Sequence, residues 1–156
     1  MQKISAIDVG SNAIRMAVGQ VNSTQDRVDV IENIRIPVRL GQDVFTIGAL
    51  TDSTMQAAMD AFRRFRKIAD DYDVKKIRAV ATSAMREAEN GKIFIRRLAR
   101  QTGIQLEIIS GKEEARLVHV AVGKVIDLEG RKAVLIDIGG GSIEVALSDG
   151  NQLITT

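Results

Sequence analysis

Two short segments of the chain each place an aspartate before a turn of small residues. Asp8 precedes the turn Gly10-Ser11-Asn12, and Asp137 precedes Gly139-Gly140-Gly141-Ser142. Backbone N–H groups in such turns can converge on an anion, and the hydroxyl and amide side chains add further donors. A carboxylate that ends an apolar strand is costly unless it meets a cation, and carboxylates beside phosphate suit Mg²⁺. We therefore predict a phosphate and metal site, with two ordinary hairpin turns as the alternative.

Two further side chains could join this site. Glu144 follows Ser142 by two positions and should point to the same side of its strand, where it would be a second metal or water ligand or an exposed strand residue. Arg86 follows a predicted strand, at the sheet edge where α/β proteins usually bind ligands. Its guanidinium could hold phosphate oxygens, or it could pair with Glu87 or Glu89.

A candidate general base lies in the segment Ser110-Gly111-Lys112-Glu113-Glu114. Ser110 and Glu113 have the spacing of a capping box, which gives Glu113 a structural role. Glu114 has no such role, and a carboxylate at a helix N-terminus could take a proton from water. The alternative is an ordinary surface glutamate in a first turn. The single histidine, His119, is predicted to be a packing or surface residue and receives no role.

The elements that position these residues follow from the spacing of apolar residues. The segment LGQDVFTIGAL is predicted to be a loop, and Thr51 or Asp52 is predicted to cap the helix after it. The other predicted elements are strands Lys3–Val9, Ala13–Val21, Arg27–Val38, Lys76–Ala81 and Gln105–Ile109, a helix at Gly91–Gln101 ended by Gly103, a helix opened by Ser110, and strands beginning at Ala133 and Gln152.

This order, β-β-β-α-β-α-β-α, predicts an α/β fold with a five-stranded mixed sheet and an antiparallel meander at one edge. We assign it to residues 1–125, and residues 126–156 to the start of a second, similar lobe. The likeness of the two Asp-containing hairpins then marks an internal repeat. The alternative is that all hairpins share glycine turns and alternating apolar residues.

The amino-acid composition excludes or disfavours several classes of function. The 156 residues, 45% of them apolar, suffice for one sizeable core. The lack of cysteine excludes disulfides and thiolate chemistry, and one histidine with 3% aromatic residues disfavours Ser-His-Asp catalysis and base stacking. The near-balanced net charge of +2 weakly suits an anionic ligand. We expect a cytoplasmic protein with neither DNA nor membrane as a partner.

Five segments together resemble the exopolyphosphatase and guanosine pentaphosphate phosphatase family, within the superfamily of actin-like proteins, sugar kinases and Hsp70 ATPases. They are AIDVGSNAIRMAV, VRLGQDVFTIGAL, AVATSAMREAENG, LEIISGKEEARL and LIDIGGGSIEVAL. The motifs GSN, ATSAMR and GKEEARL are fairly specific to this family, whereas DIGGGS indicates only the superfamily.

The resemblance implies a ribonuclease H-like, actin-like ATPase lobe and hydrolysis of a terminal phosphoanhydride with Mg²⁺ or another divalent cation. Glu114 matches the family's general base, and Asp137 and Glu144 match metal positions, to which the residue pattern adds Asp8. The implied substrate is inorganic polyphosphate or guanosine pentaphosphate. The residues that match the family's phosphate site are Ser11, Asn12, Ser83, Arg86, Gly140, Gly141 and Ser142.

One departure from the family limits these expectations. Members have two lobes with the site between them, whereas this sequence ends after the first hairpin of the second lobe. We therefore expect either the N-terminal part of a longer protein, which need not be active alone, or a naturally short relative. Apolar surface exposed there favours a homodimer. The alternatives are a non-catalytic module that binds phosphate or an alarmone, and an ATP-dependent kinase or ATPase, which the motifs GSN and GKEEARL disfavour.

Overall fold

The structure, a computed structural model, describes residues 2–24, 27–150 and 152–156. The chain divides into two compact units, Met1–Ile108 and Ile109–Thr156. Among the described residues, no helix has the length and apolar character needed to cross a membrane. The predicted lobe boundary at residue 125 stays a prediction.

The first unit contains a five-stranded mixed sheet. Its strands are β1 (Lys3–Val9), β2 (Ile14–Asn22), β3 (Arg27–Ile36), β4 (Lys76–Ala81) and β5 (Leu106–Ile108). They lie in the order β3-β2-β1-β4-β5, in which β1, β2 and β3 pair antiparallel and β4 runs parallel to both β1 and β5. The predicted sheet with a meander at one edge is therefore confirmed.

Four helices belong to the same unit: α1 (Leu40–Ile47), α2 (Asp52–Asp71), α3 (Ser83–Glu87) and α4 (Gly91–Thr102). Of the two caps proposed for α2, Thr51 is the one used, since its hydroxyl oxygen accepts a hydrogen bond from the Thr54 N–H at 3.3 Å. Helix α4 ends where predicted, because Gly103 adopts a left-handed conformation with φ 69°.

The core of this unit lies between one face of the sheet and helices α2 and α4. Alternate residues of β1 and β2 are buried there, because side chains of a strand alternate between its two faces. Each large aliphatic or aromatic side chain buried in this way stabilises the fold by about 1.5–3 kcal/mol. The central members are Ile7, Val9, Ile14, Met16, Val18, Phe62, Phe65, Phe94 and Leu98.

The prediction of a loop at LGQDVFTIGAL was wrong, because residues Leu40–Ile47 form α1. Leu40 and Val44 are buried one turn apart, and the Gly41 N–H donates to the carbonyl oxygen of Ser11 at 2.8 Å. No side chain caps this helix at Arg39, so the usual signal for a helix start is missing. Contacts with residues distant in the sequence therefore stabilise α1. The five-residue α3 was also not predicted, since it is too short to show helical periodicity.

The second unit contains α5 (Gly111–Gly123) and an antiparallel sheet of β6 (Lys132–Ile138), β7 (Ile143–Asp149) and β8 (Gln152–Thr155), in that order. The predicted cap of α5 is confirmed, since the Ser110 hydroxyl oxygen accepts from the Glu113 N–H at 3.2 Å. Helix α5 packs against β6 and β7. The three predicted strands of this region are also confirmed.

Candidate functional site

The two hairpins that carry the predicted phosphate turns share one local structure. In the first hairpin, β1–β2, the Gly10 N–H donates to the Ala13 carbonyl oxygen at 3.1 Å. In the second hairpin, β6–β7, the Gly139 N–H donates to the Ser142 carbonyl oxygen at 2.9 Å. The aspartate of each strand lies two residues before the glycine that closes the turn. The likeness seen in the sequence is therefore also a likeness of backbone geometry.

The first turn meets the segment after β4. The Ser11 and Ser83 hydroxyl oxygens lie 3.0 Å apart, and both side chains are buried. The neighbouring backbone is joined as well, since the Thr82 N–H donates to the Val9 carbonyl oxygen at 3.2 Å. Because β1 and β4 are parallel neighbours, their carboxyl ends reach the same sheet edge. The fold thus brings together two predicted phosphate-binding residues that are far apart in sequence.

Two other predicted phosphate-binding residues flank this contact. Asn12 is exposed beside Ser11, and Arg86 is half-buried in the last turn of α3. The short helix therefore places a guanidinium one turn beyond Ser83. Arg86 thus adds a cationic group to the neutral donors Ser11, Asn12 and Ser83 at this edge of the first unit, and a guanidinium with neutral donors suits a phosphate anion.

Helix α1 supports the first turn from the side, which the sequence did not reveal. Besides the bond from its N–H to Ser11, Gly41 lies so close that an added Cβ would be 2.8 Å from the Ser11 Cβ and 2.7 Å from the Phe45 ring. A side chain here would therefore displace either the turn or α1. The only signal was a glycine, which we interpreted as part of a loop.

Asp8, one of the predicted metal ligands, already has a cationic neighbour. It lies directly across the hairpin from Arg15, with 3.7 Å between the Asp8 Oδ2 and Arg15 Nη1 atoms. The two side chains are 47% and 59% exposed, so the burial that would demand an external cation is absent. The metal role of Asp8 stays a prediction, and the geometry gives it little support.

Asp137 and Glu144 are in a different situation. They occupy directly opposite positions of the second hairpin, and both line a small cavity beside Ala115 and Val118 of α5. Glu144 lies on the same face as Ser142, as predicted, and its Oε2 atom is buried without a hydrogen-bond partner. Like charges at opposed positions destabilise a sheet, and an unpaired buried carboxylate oxygen calls for a proton or a cation.

Two carboxylates are enough for a divalent cation whose remaining ligands are water or phosphate oxygens. In the described part of the chain, no group of three or more His, Cys, Asp or Glu side chains could hold a metal ion. Mg²⁺ is commonly bound through only one or two carboxylates, with water and phosphate oxygens completing an octahedral shell. The exposed Gly140 and Gly141 lie in the turn that connects the two carboxylate-bearing strands. Phosphate and metal groups can therefore meet at this hairpin.

The predicted general base, Glu114, lies half-buried in the first turn of α5. Its neighbour Glu113 pairs with Arg116 of the same helix. Both carboxylate oxygens of Glu113 accept hydrogen bonds from the Arg116 guanidinium, at 2.7 and 2.8 Å. Hydrogen bonding to Glu113 is the main cause of a raised pKa of Arg116, and the attraction between the opposite charges contributes less. The contacts of Glu113 therefore agree with the structural role predicted for it, and the role of Glu114 stays a prediction.

His119 has a structural role that the sequence did not show. Its Nε2 atom lies 2.8 Å from the Ser148 hydroxyl oxygen, and that hydroxyl donates to the Gly150 carbonyl oxygen at 2.8 Å. A carbonyl oxygen only accepts, so the single Ser148 proton points to Gly150 and the His119 Nε2 atom must donate. Both His119 and Ser148 are buried. This contact ties α5 to β7, and no spacing rule could have indicated it.

Residues 18–155 match the family described as the Ppx/GppA phosphatase family. The chain belongs to this family. A similar curated relative, the guanosine-5'-triphosphate,3'-diphosphate pyrophosphatase of Aliivibrio fischeri, is 33% identical over 146 residues, which are 94% of this chain and 29% of the relative.

Solved structures support the same conclusion. An exopolyphosphatase from Cytophaga hutchinsonii is 31% identical with a TM-score of 0.92, over 98% of this chain and 48% of that one. The Ppx/GppA family member of Aquifex aeolicus is 27% identical with a TM-score of 0.87, over 98% and 49%. The predicted family and fold class are confirmed. The chain spans half or less of the length of these relatives.

Proposed function

We propose that this chain is part of a hydrolase that releases the terminal phosphate of a phosphoanhydride chain. The observation that supports this most is the buried contact between Ser11 and Ser83, which joins two predicted phosphate segments in a member of a phosphatase family. The relatives bear the names of both expected activities, exopolyphosphatase and guanosine-5'-triphosphate,3'-diphosphate pyrophosphatase. The substrate is accordingly inorganic polyphosphate or guanosine pentaphosphate, and the cytoplasm is the expected location.

Each of the two units carries its own candidate phosphate-binding residues. In the first unit, Ser11, Asn12 and Ser83 supply neutral donors and Arg86 supplies a guanidinium. In the second unit, Gly140, Gly141 and Ser142 supply backbone N–H groups and a hydroxyl.

Glu114 acts as the general base. It takes a proton from a water molecule, whose oxygen forms a new bond to the terminal phosphorus while the bridging P–O bond breaks. The electron pair of that bond stays on the shortened chain, and the other product is orthophosphate. The position of Glu114 in the first turn of α5 stabilises the carboxylate form, since the helix N-terminus carries partial positive charge.

Asp137 and Glu144 hold the divalent cation, Mg²⁺ or another. When bound, it neutralises charge on the phosphate oxygens. A cation held by these two residues would offset the repulsion between the carboxylates and the cost of the buried Glu144 Oε2 atom. Asp8 is a weaker candidate for the same role because Arg15 lies beside it.

The test measures phosphate release from polyphosphate, guanosine pentaphosphate and ATP, with Mg²⁺ and with EDTA. We expect release that requires Mg²⁺ and falls by about 10²- to 10⁴-fold in Glu114→Gln, the usual contribution of a general base. Glu113→Gln removes a neighbouring carboxylate outside the proposed site and should keep the wild-type rate. The preferred substrate identifies the branch of the family.

Other outcomes would contradict the proposal. Equal rates for Glu114→Gln and the wild type would exclude Glu114 as the base. ATP turnover far above polyphosphate turnover would favour the kinase or ATPase alternative. Calorimetric binding of polyphosphate or of guanosine pentaphosphate without any release, both by this chain and by a two-lobed protein that contains it, would favour a regulatory module, and loss of that binding in Arg86→Ala would locate it.

A further inference from the structure

Helix α4 of the first unit carries an exposed face of positive charge. The helix contains one lysine, three arginines and no acidic residue, and all four cationic side chains are exposed. At about 3.6 residues per turn they lie within an arc of roughly 140° around the helix axis. None of them forms an ion pair with another described residue. We call this surface the basic face, and it consists of Lys92, Arg96, Arg97 and Arg100.

The adjacent helix α2 has the same number of cations but a different charge pattern. It also contains four aspartates, so its charges balance. Three of its cations form ion pairs of 2.5–2.9 Å with aspartates three or four positions away. The pairs are Arg63 with Asp60, Arg66 with Asp70, and Lys67 with Asp71. The surface charge of α2 is therefore neutralised within the helix, whereas that of α4 is not.

The charge pattern of α4 is unfavourable for the helix itself. Arg96 lies four positions after Lys92 and four before Arg100, and like charges at this spacing repel each other. Lys92 also lies in the first turn, where the helix dipole disfavours a cation. The buried side of the helix, with Phe94 and Leu98, needs apolar residues but no such charges on the opposite side. A bound polyanion would compensate the repulsion that the helix does not compensate itself.

We propose that the basic face binds inorganic polyphosphate, outside the group formed by Ser11, Ser83 and Arg86. The inference rests on the proposed function, since it selects polyphosphate among the substrates considered there. From Lys92 to Arg100 the face extends about 12 Å at 1.5 Å per residue, so one linear polyanion can contact several cations at once.

The absence of an exposed ring on α4 favours polyphosphate over a nucleic acid or a guanosine nucleotide. Bases bound on protein surfaces usually stack on aromatic side chains. The one aromatic side chain of this helix is Phe94, which is buried in the core. The basic face therefore offers charge to phosphate groups and no stacking partner to a base.

The basic face and Arg86 form two separate positive surfaces along the chain. Glu87 and Glu89 lie between Arg86 and α4 in the sequence, and both are exposed. A long polyphosphate chain that contacts both surfaces gains affinity, because the second contact is then intramolecular. A short polyphosphate cannot make this gain. The proposal therefore predicts an affinity that rises with chain length and depends on the basic face.

The test is calorimetric titration of the full chain with long inorganic polyphosphate and with tripolyphosphate, in EDTA to prevent Mg²⁺-dependent release. The double variant Arg96→Gln with Arg100→Gln should weaken binding of the long chain about tenfold at low salt. Tripolyphosphate binding should change less than about twofold, since isolated exposed charge pairs contribute little. Added salt should reduce the difference for the long chain, because exposed charges are screened.

The matched control is Arg63→Gln with Lys67→Gln on α2. It removes two cations at the same spacing, and these already pair with Asp60 and Asp71. Binding of the long chain should therefore change less than about twofold. Glutamine is a good helix former, so both double variants should keep the wild-type circular dichroism spectrum. This measurement separates lost binding from unfolding.

Two results would overturn the proposal. Equal weakening by the α2 and α4 double variants would show a general effect of net charge and no site on α4. Tighter binding of a single-stranded RNA with the same number of phosphates, lost in the α4 variant, would assign the basic face to a nucleic acid.

Failure of this inference and failure of the proposed function give different results. Loss of long-chain binding in the α4 variant, with no phosphate release by this chain or by a two-lobed protein that contains it, would keep the basic face and reject the hydrolase. Release by the two-lobed protein with the same KM for long polyphosphate in wild type and α4 variant would keep the hydrolase and reject the basic face.

Discussion

The first and second hairpins have the same turn and the same aspartate, but the residue opposite that aspartate differs. Arg15 lies across from Asp8, whereas Glu144 lies across from Asp137. In the first hairpin the chain supplies its own cation, and the pair stays half exposed. In the second hairpin two carboxylates face each other, and one buried oxygen has no partner. The same backbone therefore forms an ion pair in one place and a candidate cation site in the other.

The two turns also differ in their support. Ser11 of the first turn contacts Ser83, and its carbonyl oxygen accepts from Gly41 of α1. The position that corresponds to Ser11 in the second turn is Gly140, which is exposed. The first turn is preorganised by distant segments, whereas the second owes its shape to its own glycines and to the closing bond of Gly139.

The largest expected effect concerns the cation. If the second hairpin binds Mg²⁺ through Asp137 and Glu144, Mg²⁺ at about 100 times its dissociation constant should stabilise the fold by about 2.7 kcal/mol. Glu144→Arg gives this hairpin the charge arrangement of the first and should abolish the response. Thermal unfolding with Mg²⁺ and with EDTA measures it. Glu129→Arg, the same charge change in an exposed segment, is the control. A wild type that does not respond would contradict the proposed site.

The next effect concerns the support of the first turn. Ser83→Ala leaves the buried Ser11 hydroxyl without this partner and should destabilise the first unit by about 1–3 kcal/mol. Ser11→Ala should cost a similar amount. The double variant should cost clearly less than the sum, because the two hydroxyls act as one interaction. Urea unfolding of the four proteins gives the coupling free energy, and strictly additive losses would show that the hydroxyls do not interact.

The smallest effect is the pH dependence of the junction between α1 and α2. The hydroxyl and the backbone N–H of Thr51 both donate hydrogen bonds to the Asp43 carboxylate. These bonds lower the pKa of Asp43, the hydroxyl more than the N–H. Stability gained in this way is present above the unfolded pKa of about 3.9 and is lost as pH falls through the folded pKa. Asp43→Asn should therefore lower stability near neutral pH and flatten its decline in acid. Thermal unfolding from about pH 6 to about pH 2 tests this, and parallel curves would contradict it.

Local rules account for the parts of the fold that could be predicted from the sequence. Alternating apolar residues located the strands, and side chains that act within one turn located helix ends, as Thr51, Ser110 and Gly103 show. Helix α1 was missed because its start has no capping side chain. The same distinction between local and distant determinants applies to the candidate site. Each turn and its aspartate could be recognised in the sequence, but the partner of each aspartate depends on the register of its hairpin.

The sequence by itself determined the strands, most of the helices and two turns suited to phosphate, because these depend on residues a few positions apart. Only the tertiary structure decided that Ser11 meets Ser83, that Gly41 supports the first turn, and that His119 donates to Ser148. Contacts between distant segments follow from strand order and packing, and no local pattern encodes them.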